Sequence, residues 1–324
     1  MALFFICNKI EEIQAGIIMK KMRLHIYITM GVFLVMFILG SILDLQISTA
    51  IFSKNNGFGL TVAALSMNVG YGFLAFLGGI VAYHAHKLSK VTWERVLTCV
   101  LALAFLGVST YFDGGEFFGE NGWYNPNIEW VGYLIALPLM SGCMFGGYLV
   151  GKKANNPRLV FLVIAGALFI GLSLIIGTTV VKNIFHRPRF RSVAETNIPF
   201  FAWWERCGNY KDLMNTYNLS KEEFKSFPSG HTSVCALGMF FVVFLPFAFG
   251  KDVKHQVIYF YVALAYALFV AFTRILVGAH YLSDVAMGGL ITVICMYGFY
   301  EVVLHNPKIY ELPQVEEQPV QEQQ

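Results

Sequence analysis

The sequence predicts an all-α, polytopic membrane helical bundle with about eight transmembrane helices. Three observations carry this reading. The chain is 56% hydrophobic and only 13% charged, whereas a soluble domain carries about 25% charged residues. Its mean hydropathy is +0.59. Eight apolar segments, about 25–44, 61–83, 93–111, 130–151, 159–184, 229–249, 256–277 and 281–304, recur along its 324 residues. Each is near the length of about 20 residues that crosses a bilayer as a helix. Lipid gives the backbone of such runs no partner outside the helix itself.

The first segment contains an unbroken uncharged run, IYITMGVFLVMFILGSIL. Residues 1–24 ahead of it combine a short apolar start with Lys9, Glu11 and Glu12, and no small-residue cleavage site follows. They are expected to be a cytoplasmic N-terminal segment, with an interfacial helix as the alternative and Met19 or Met22 as alternative starts. Residues 306–324 are polar and rich in Gln, Glu and Pro, which predicts a disordered cytoplasmic tail. Six scattered cysteines form no close pair, so neither a disulfide framework nor a zinc site is expected.

Loop charges predict the orientation. Lys20, Lys21 and Arg23, then Lys87, Lys90 and Arg95, then Lys152, Lys153 and Arg158, then Lys251 and Lys254 fall on one side of an eight-helix arrangement. The loop 112–129 falls on the other, with no Lys or Arg and with Asp113, Glu116, Glu120 and Glu129. The positive-inside rule then places both termini in the cytoplasm. The net charge of +3 is too slight to imply a nucleic-acid partner, and no obligate protein partner is evident.

One outer loop, 185–227, breaks the charge pattern with Arg187, Arg189, Arg191, Arg206, Lys211, Lys221 and Lys225. Arginine offers phosphate a planar, two-pronged donor set. Basic residues after a membrane span also meet headgroups, so this stretch alone leaves both readings open.

Two further stretches are expected on the same outer face. Pro228-Ser229-Gly230-His231 suits a helix start, with Ser229 as cap and His231 in a first turn whose free N–H groups favour anions. The alternative is a plain capped helix. In Arg274 to Asp284, Gly278 permits a turn that returns Arg274 to the pocket. His280 and Asp284, four apart, are expected to share a helical face, the carboxylate fixing the tautomer of a nucleophile or base. A structural His–Asp pair is the alternative there.

Lys182-x6-Arg189, Pro228-Ser229-Gly230-His231 and Arg274-x5-His280-x3-Asp284 occur in this order, each at a helix end. This combination resembles the type 2 phosphatidic acid phosphatase superfamily. The resemblance directly covers roughly the second half of the chain. It implies a six-helix core in residues 91–305, with residues 25–90 as two additional N-terminal helices. It implies His280 as the nucleophile forming a phosphohistidine, Asp284 as its orienting carboxylate and His231 as the acid for the leaving group. Lys182, Arg189, Ser229, Gly230 and Arg274 would cradle the phosphate, with no metal and no cofactor. Two positions depart from the family pattern: Arg189 is followed by Phe190 rather than proline, and Thr273 precedes Arg274 where serine is common. Arg187-Pro188 offers a competing register. The six-residue spacing favours Arg189 and leaves Arg187 and Arg191 as auxiliary contacts.

The expected activity is hydrolysis of a lipid phosphate or lipid pyrophosphate at the extracytoplasmic face, in the plasma membrane. The phosphatidate, phosphatidylglycerol phosphate and polyprenyl pyrophosphate types are all open. Lipid phosphotransfer, hydrolysis of a small soluble phosphate and a catalytically silent lipid-binding or transport protein are the alternatives. Trp203 and Trp204 are expected in an interfacial aromatic belt, and His186 at the interface.

Overall fold

The structure, a computed structural model, describes residues 2–119, 123–249 and 255–306. The expected tail from 307 onward, Glu120, Lys251 and Lys254 lie outside the described residues. Among the described residues every element is helical. Among the described residues, seven helices are long and apolar enough to cross a membrane. The first is α1 (Ala2–Ile51), over Met22–Ile51. The second, Gly57–Leu88, joins α2 (Gly57–Ser66), α3 (Asn68–Tyr83) and a π-helical turn. Then come α4 (Thr92–Phe117) and α5 (Glu129–Ala154). The fifth runs from α6 (Leu159–Leu174) through a π-helical stretch into α7 (Val181–Phe185). The last two are α12 (Gln256–Leu276) and α13 (Leu282–His305). The sixth expected segment is a shorter apolar helix, Gly230–Leu245. It is interrupted: α10 (Gly230–Ala236) and α11 (Phe241–Phe249) are separated by a 3-10 turn.

Small residues set how closely these helices approach, as expected where lipid competes for apolar surface. A Cβ at Gly79 of α3 would meet Met144 O of α5 at 1.8 Å, and one at Gly147 would meet Phe76 O at 1.8 Å. α1 runs antiparallel along α13. Arg23 grips Glu301 at one end through Nε (2.7 Å) and Nη2 (2.6 Å). Asp44 accepts from Ser283 N at the other end, at 2.9 Å. The buried face of α1 is a stripe: Met22, Ile26, Thr29, Phe33, Gly40, Asp44 and Ser48. Its other faces expose Leu24, Ile38 and Ile42, which suits contact with lipid tails. The first helix is therefore locked into the bundle along its length.

Residues 185–227 fold into a small cap rather than an open loop. It holds α8 (Phe190–Thr196), α9 (Tyr210–Tyr217) and a 3-10 turn at Lys221–Phe224. Ile198, Cys207 and Phe224 form its own core. The expected belt position suits Trp204, which is exposed, but not Trp203. Trp203 donates Nε1–H to Ser41 Oγ of α1 at 2.8 Å and stacks on Phe227. His186 likewise stacks on Tyr210, with ring centroids 3.9 Å apart. Two contacts tie the cap and the helix ends to one face of the bundle. Ser53 N donates to Leu276 O (2.8 Å), and Lys54 pairs with Glu195 (2.9 Å).

Candidate active site

Backbone hydrogen bonds lace the three sequence motifs together. Ser226 N donates to Arg187 O (3.1 Å), Ser229 N to Asp284 O (2.9 Å), and Arg191 N to Gly278 O (2.9 Å). The stretches that end α7, begin α10 and join α12 to α13 therefore form one unit. Gly278 makes the last of these turns possible. Its φ is +67°, and a Cβ there would meet the Phe52 ring at 2.7 Å. Ala279 N and His280 N then both donate to Arg274 O.

His280 is buried. The expectation that it shares a helical face with Asp284 does not hold, because α13 begins only at Leu282. Its Nδ1 lies 2.6 Å from Ser226 O and 3.8 Å from Asp284 Oδ2. A carbonyl oxygen only accepts, so Nδ1 carries the proton and Nε2 keeps its lone pair. Burial pushes the imidazole down to about 3; Asp284 pulls the other way, and the positive charges of Lys182 and Arg189 add to the fall. His280 is thus a neutral ring with a fixed tautomer, the form a nucleophile needs.

Asp284 acts one step back. As the third residue of α13 it caps the helix by accepting from Tyr281 N at 2.8 Å. It also accepts from the Ser226 hydroxyl and from Arg187 Nη1 at 2.6 Å. Arg187 is fully engaged. Its Nη1 also donates to Ser283 Oγ (3.0 Å), its Nη2 to Asp44 Oδ2 (3.0 Å) and its Nε to Phe201 O (2.9 Å). Its guanidinium lies 3.9 Å from the centre of the Tyr281 ring. Arg191 forks onto Glu223. Burial alone would raise the Glu223 carboxyl, but hydrogen bonds from Arg191 and the charge of Arg189 outweigh it and hold it at about 2. Arg187 and Arg191, expected as auxiliary phosphate contacts, are thus committed to carboxylates within the protein.

Arg189 is placed differently. It is buried, and it lies with Lys182 and Arg274 within electrostatic reach of His231. Lys182 and Arg189 also reach His280. The structure therefore brings Lys182, Arg189, Arg274, His231 and His280 together. Ser229 caps α10 by accepting from Thr232 N (3.3 Å) and Thr232 Oγ1 (3.1 Å). Its own hydroxyl proton stays available to an acceptor, beside the buried Gly230.

Sequence reasoning missed four participants. Ser226 supplies the carbonyl that sets His280, and Asp44 and Ser283 complete the Arg187 network. Glu116, at the end of α4, places Oε2 3.6 Å from His231 Nε2. Asp44 had a signal: an ionisable residue closing an uncharged membrane span is a functional candidate by itself. Glu116 was one of four acids in a loop, with nothing to single it out.

Fold and site together define an integral membrane protein in which two histidines and three cationic side chains meet at one end of a helix bundle. The family model described as the PAP2 superfamily matches residues 156–308, and across that span the chain is similar to this superfamily. That likeness supports a phosphoric ester hydrolase in general. No curated protein matches the chain, and no solved structure does. The matched span starts just before α6, so Asp44 and Glu116 are supplied by helices outside it.

Proposed function

We propose that this protein hydrolyses a lipid phosphate or lipid pyrophosphate through a phosphohistidine on His280. The observation that carries the proposal is the hydrogen bond from His280 Nδ1 to Ser226 O, which leaves Nε2 unprotonated beside the cationic cluster. In this reading Lys182, Arg189 and Arg274, with Ser229 and the Gly230 backbone, hold the phosphate oxygens. Fixed positive donors are the main source of help in phosphoryl transfer, where charge spreads over those oxygens. Nε2 of His280 attacks phosphorus, the bond from phosphorus to the leaving oxygen breaks, and His231 gives that oxygen a proton. Water then attacks the phosphohistidine. His231 takes a proton from the water, the N–P bond breaks, and inorganic phosphate departs. Asp284 orients His280 through the Ser226 segment and the turn it caps.

The lipid assignment is supported by depth. The site lies at the ends of membrane-length helices, where a headgroup sits while its tails remain in the bilayer. Among the described residues, Lys87, Lys90, Arg95, Lys152, Lys153 and Arg158 stand at the helix ends away from this site, which supports an extracytoplasmic site with both termini inside.

A substrate panel on the purified chain in detergent tests this. Phosphate release from at least one lipid phosphate or pyrophosphate should persist in a chelator and stop with vanadate. Release only from small soluble phosphates would overturn the lipid assignment.

A further inference from the structure

Glu116 is the acid this arrangement leaves without an assigned task. It comes from α4, outside the superfamily match, yet it reaches into the cationic cluster. Its carboxylate feels Arg274, Lys182, Arg189 and, from the cap, Glu222. His231 is buried, and its Nε2 has no hydrogen-bond partner. Glu116 Oε2 is 3.6 Å away, beyond hydrogen-bond length but within ion-pair range. The other charged or titratable groups acting on His231 are Arg274 of α12, Lys182 of α7, Arg189, and His280. Three of these are cations, and cations oppose a second proton on the ring. A proton donor to the leaving oxygen must carry that second proton before transfer.

We propose that Glu116 is the positioning residue that holds His231 in its protonated, proton-donating form. This deepens the hydrolase reading and rests on it. With Nε2 turned towards Glu116, Nδ1 is the nitrogen that serves the leaving group. In the imidazolium, Nε2–H faces the Glu116 carboxylate and Nδ1–H passes to the leaving oxygen as the O–P bond breaks and the bond from His280 Nε2 to phosphorus forms. His231 is then neutral, and Nδ1 recovers a proton from water in the second half of the reaction. The carboxylate stays ionised throughout, so charge and protons balance.

Leaving groups distinguish this role from a structural one. An alkyl phosphate needs a proton on its departing oxygen, whereas p-nitrophenyl phosphate departs without one. General acid catalysis contributes about a hundredfold or more. Glu116→Gln should therefore lower kcat on an alkyl phosphate by about that factor and on p-nitrophenyl phosphate by less than about threefold. Glu116→Asp should recover part of the loss, and His231→Ala should show the same selectivity. An equal loss on both esters would overturn the inference alone. So would a lower KM with kcat intact, which would mark Glu116 as a competitor for the phosphate site. A wild-type protein that releases phosphate from neither ester would overturn the hydrolase reading and this inference with it.

Discussion

The two histidines stand in one site but in contrasting surroundings. On the Nδ1 side of His280 the charges of Asp284 and Arg187 are answered inside the protein. Ser226 O fixes Nδ1, Asp284 takes three hydrogen bonds, and Arg187 binds Asp284, Ser283, Asp44 and Phe201 O. Around His231 there is an excess of positive charge and one nearby carboxylate at 3.6 Å, with Nε2 outside any hydrogen bond. On the proposed mechanism, with His280 as nucleophile and His231 as acid, the contrast follows from the chemistry. A nucleophile gains from a single fixed tautomer, whereas an acid must change its protonation state, and a phosphate must bring the charge that completes the cluster.

Arg187 and Arg189 sharpen that comparison, because two residues separate an arginine bound to Asp44 and Asp284 from one that the proposed function sets against phosphate. Arg189→Ala should cut phosphate release by about a thousandfold, the scale of removing a fixed donor to a developing charge, while the unfolding midpoint in detergent changes little. Arg187→Ala should instead destabilise the fold by about 3–5 kcal/mol, because Asp44 and Asp284 are left as uncompensated buried charges. Reversed outcomes for the two variants would break the comparison.

The pH dependence gives a smaller effect. An unfolded histidine takes up its proton near pH 6.5, while folded His280 stays neutral down to about 3. Only the unfolded chain binds that proton between these values, so stability should fall as pH drops from about 6.5 towards 3. Unfolding midpoints at pH 7 and pH 5 should show the wild type losing more than His280→Gln. The smallest effect is expected from Arg191→Ala. Its partner Glu223 stays ionised down to about 2, but the pair is partly exposed, so release of phosphate should fall by less than about tenfold, near the scale of a modest ion pair.

The spans and the three motifs were legible in the sequence because they rest on local signals. Long apolar runs mark helices, and Lys182, His231 and His280 each stand at the end of one. The spacing favoured Arg189 over Arg187 for phosphate, and the structure commits Arg187 to Asp284 and Asp44. What was not legible was which face of each helix packs. Along α1 the lipid-facing Leu24, Ile38 and Ile42 are as apolar as the buried Met22, Ile26 and Phe33, so periodicity carries no contrast. Asp44 and Glu116 join the site only through that packing. The shared helical face of His280 and Asp284 was misread for a local reason, although the two side chains do lie 3.8 Å apart. Spacing of four implies a shared face only inside a helix, and here Tyr281 caps the helix between them.

The most direct test of the account is to trap the intermediate. Purified protein should be mixed with a lipid phosphate carrying labelled phosphorus, quenched within one turnover and mapped. The account predicts acid-labile, base-stable label on His280, and none in His280→Ala, which should fold normally and release no phosphate. Label on another residue, or undiminished phosphate release by His280→Ala, would contradict it.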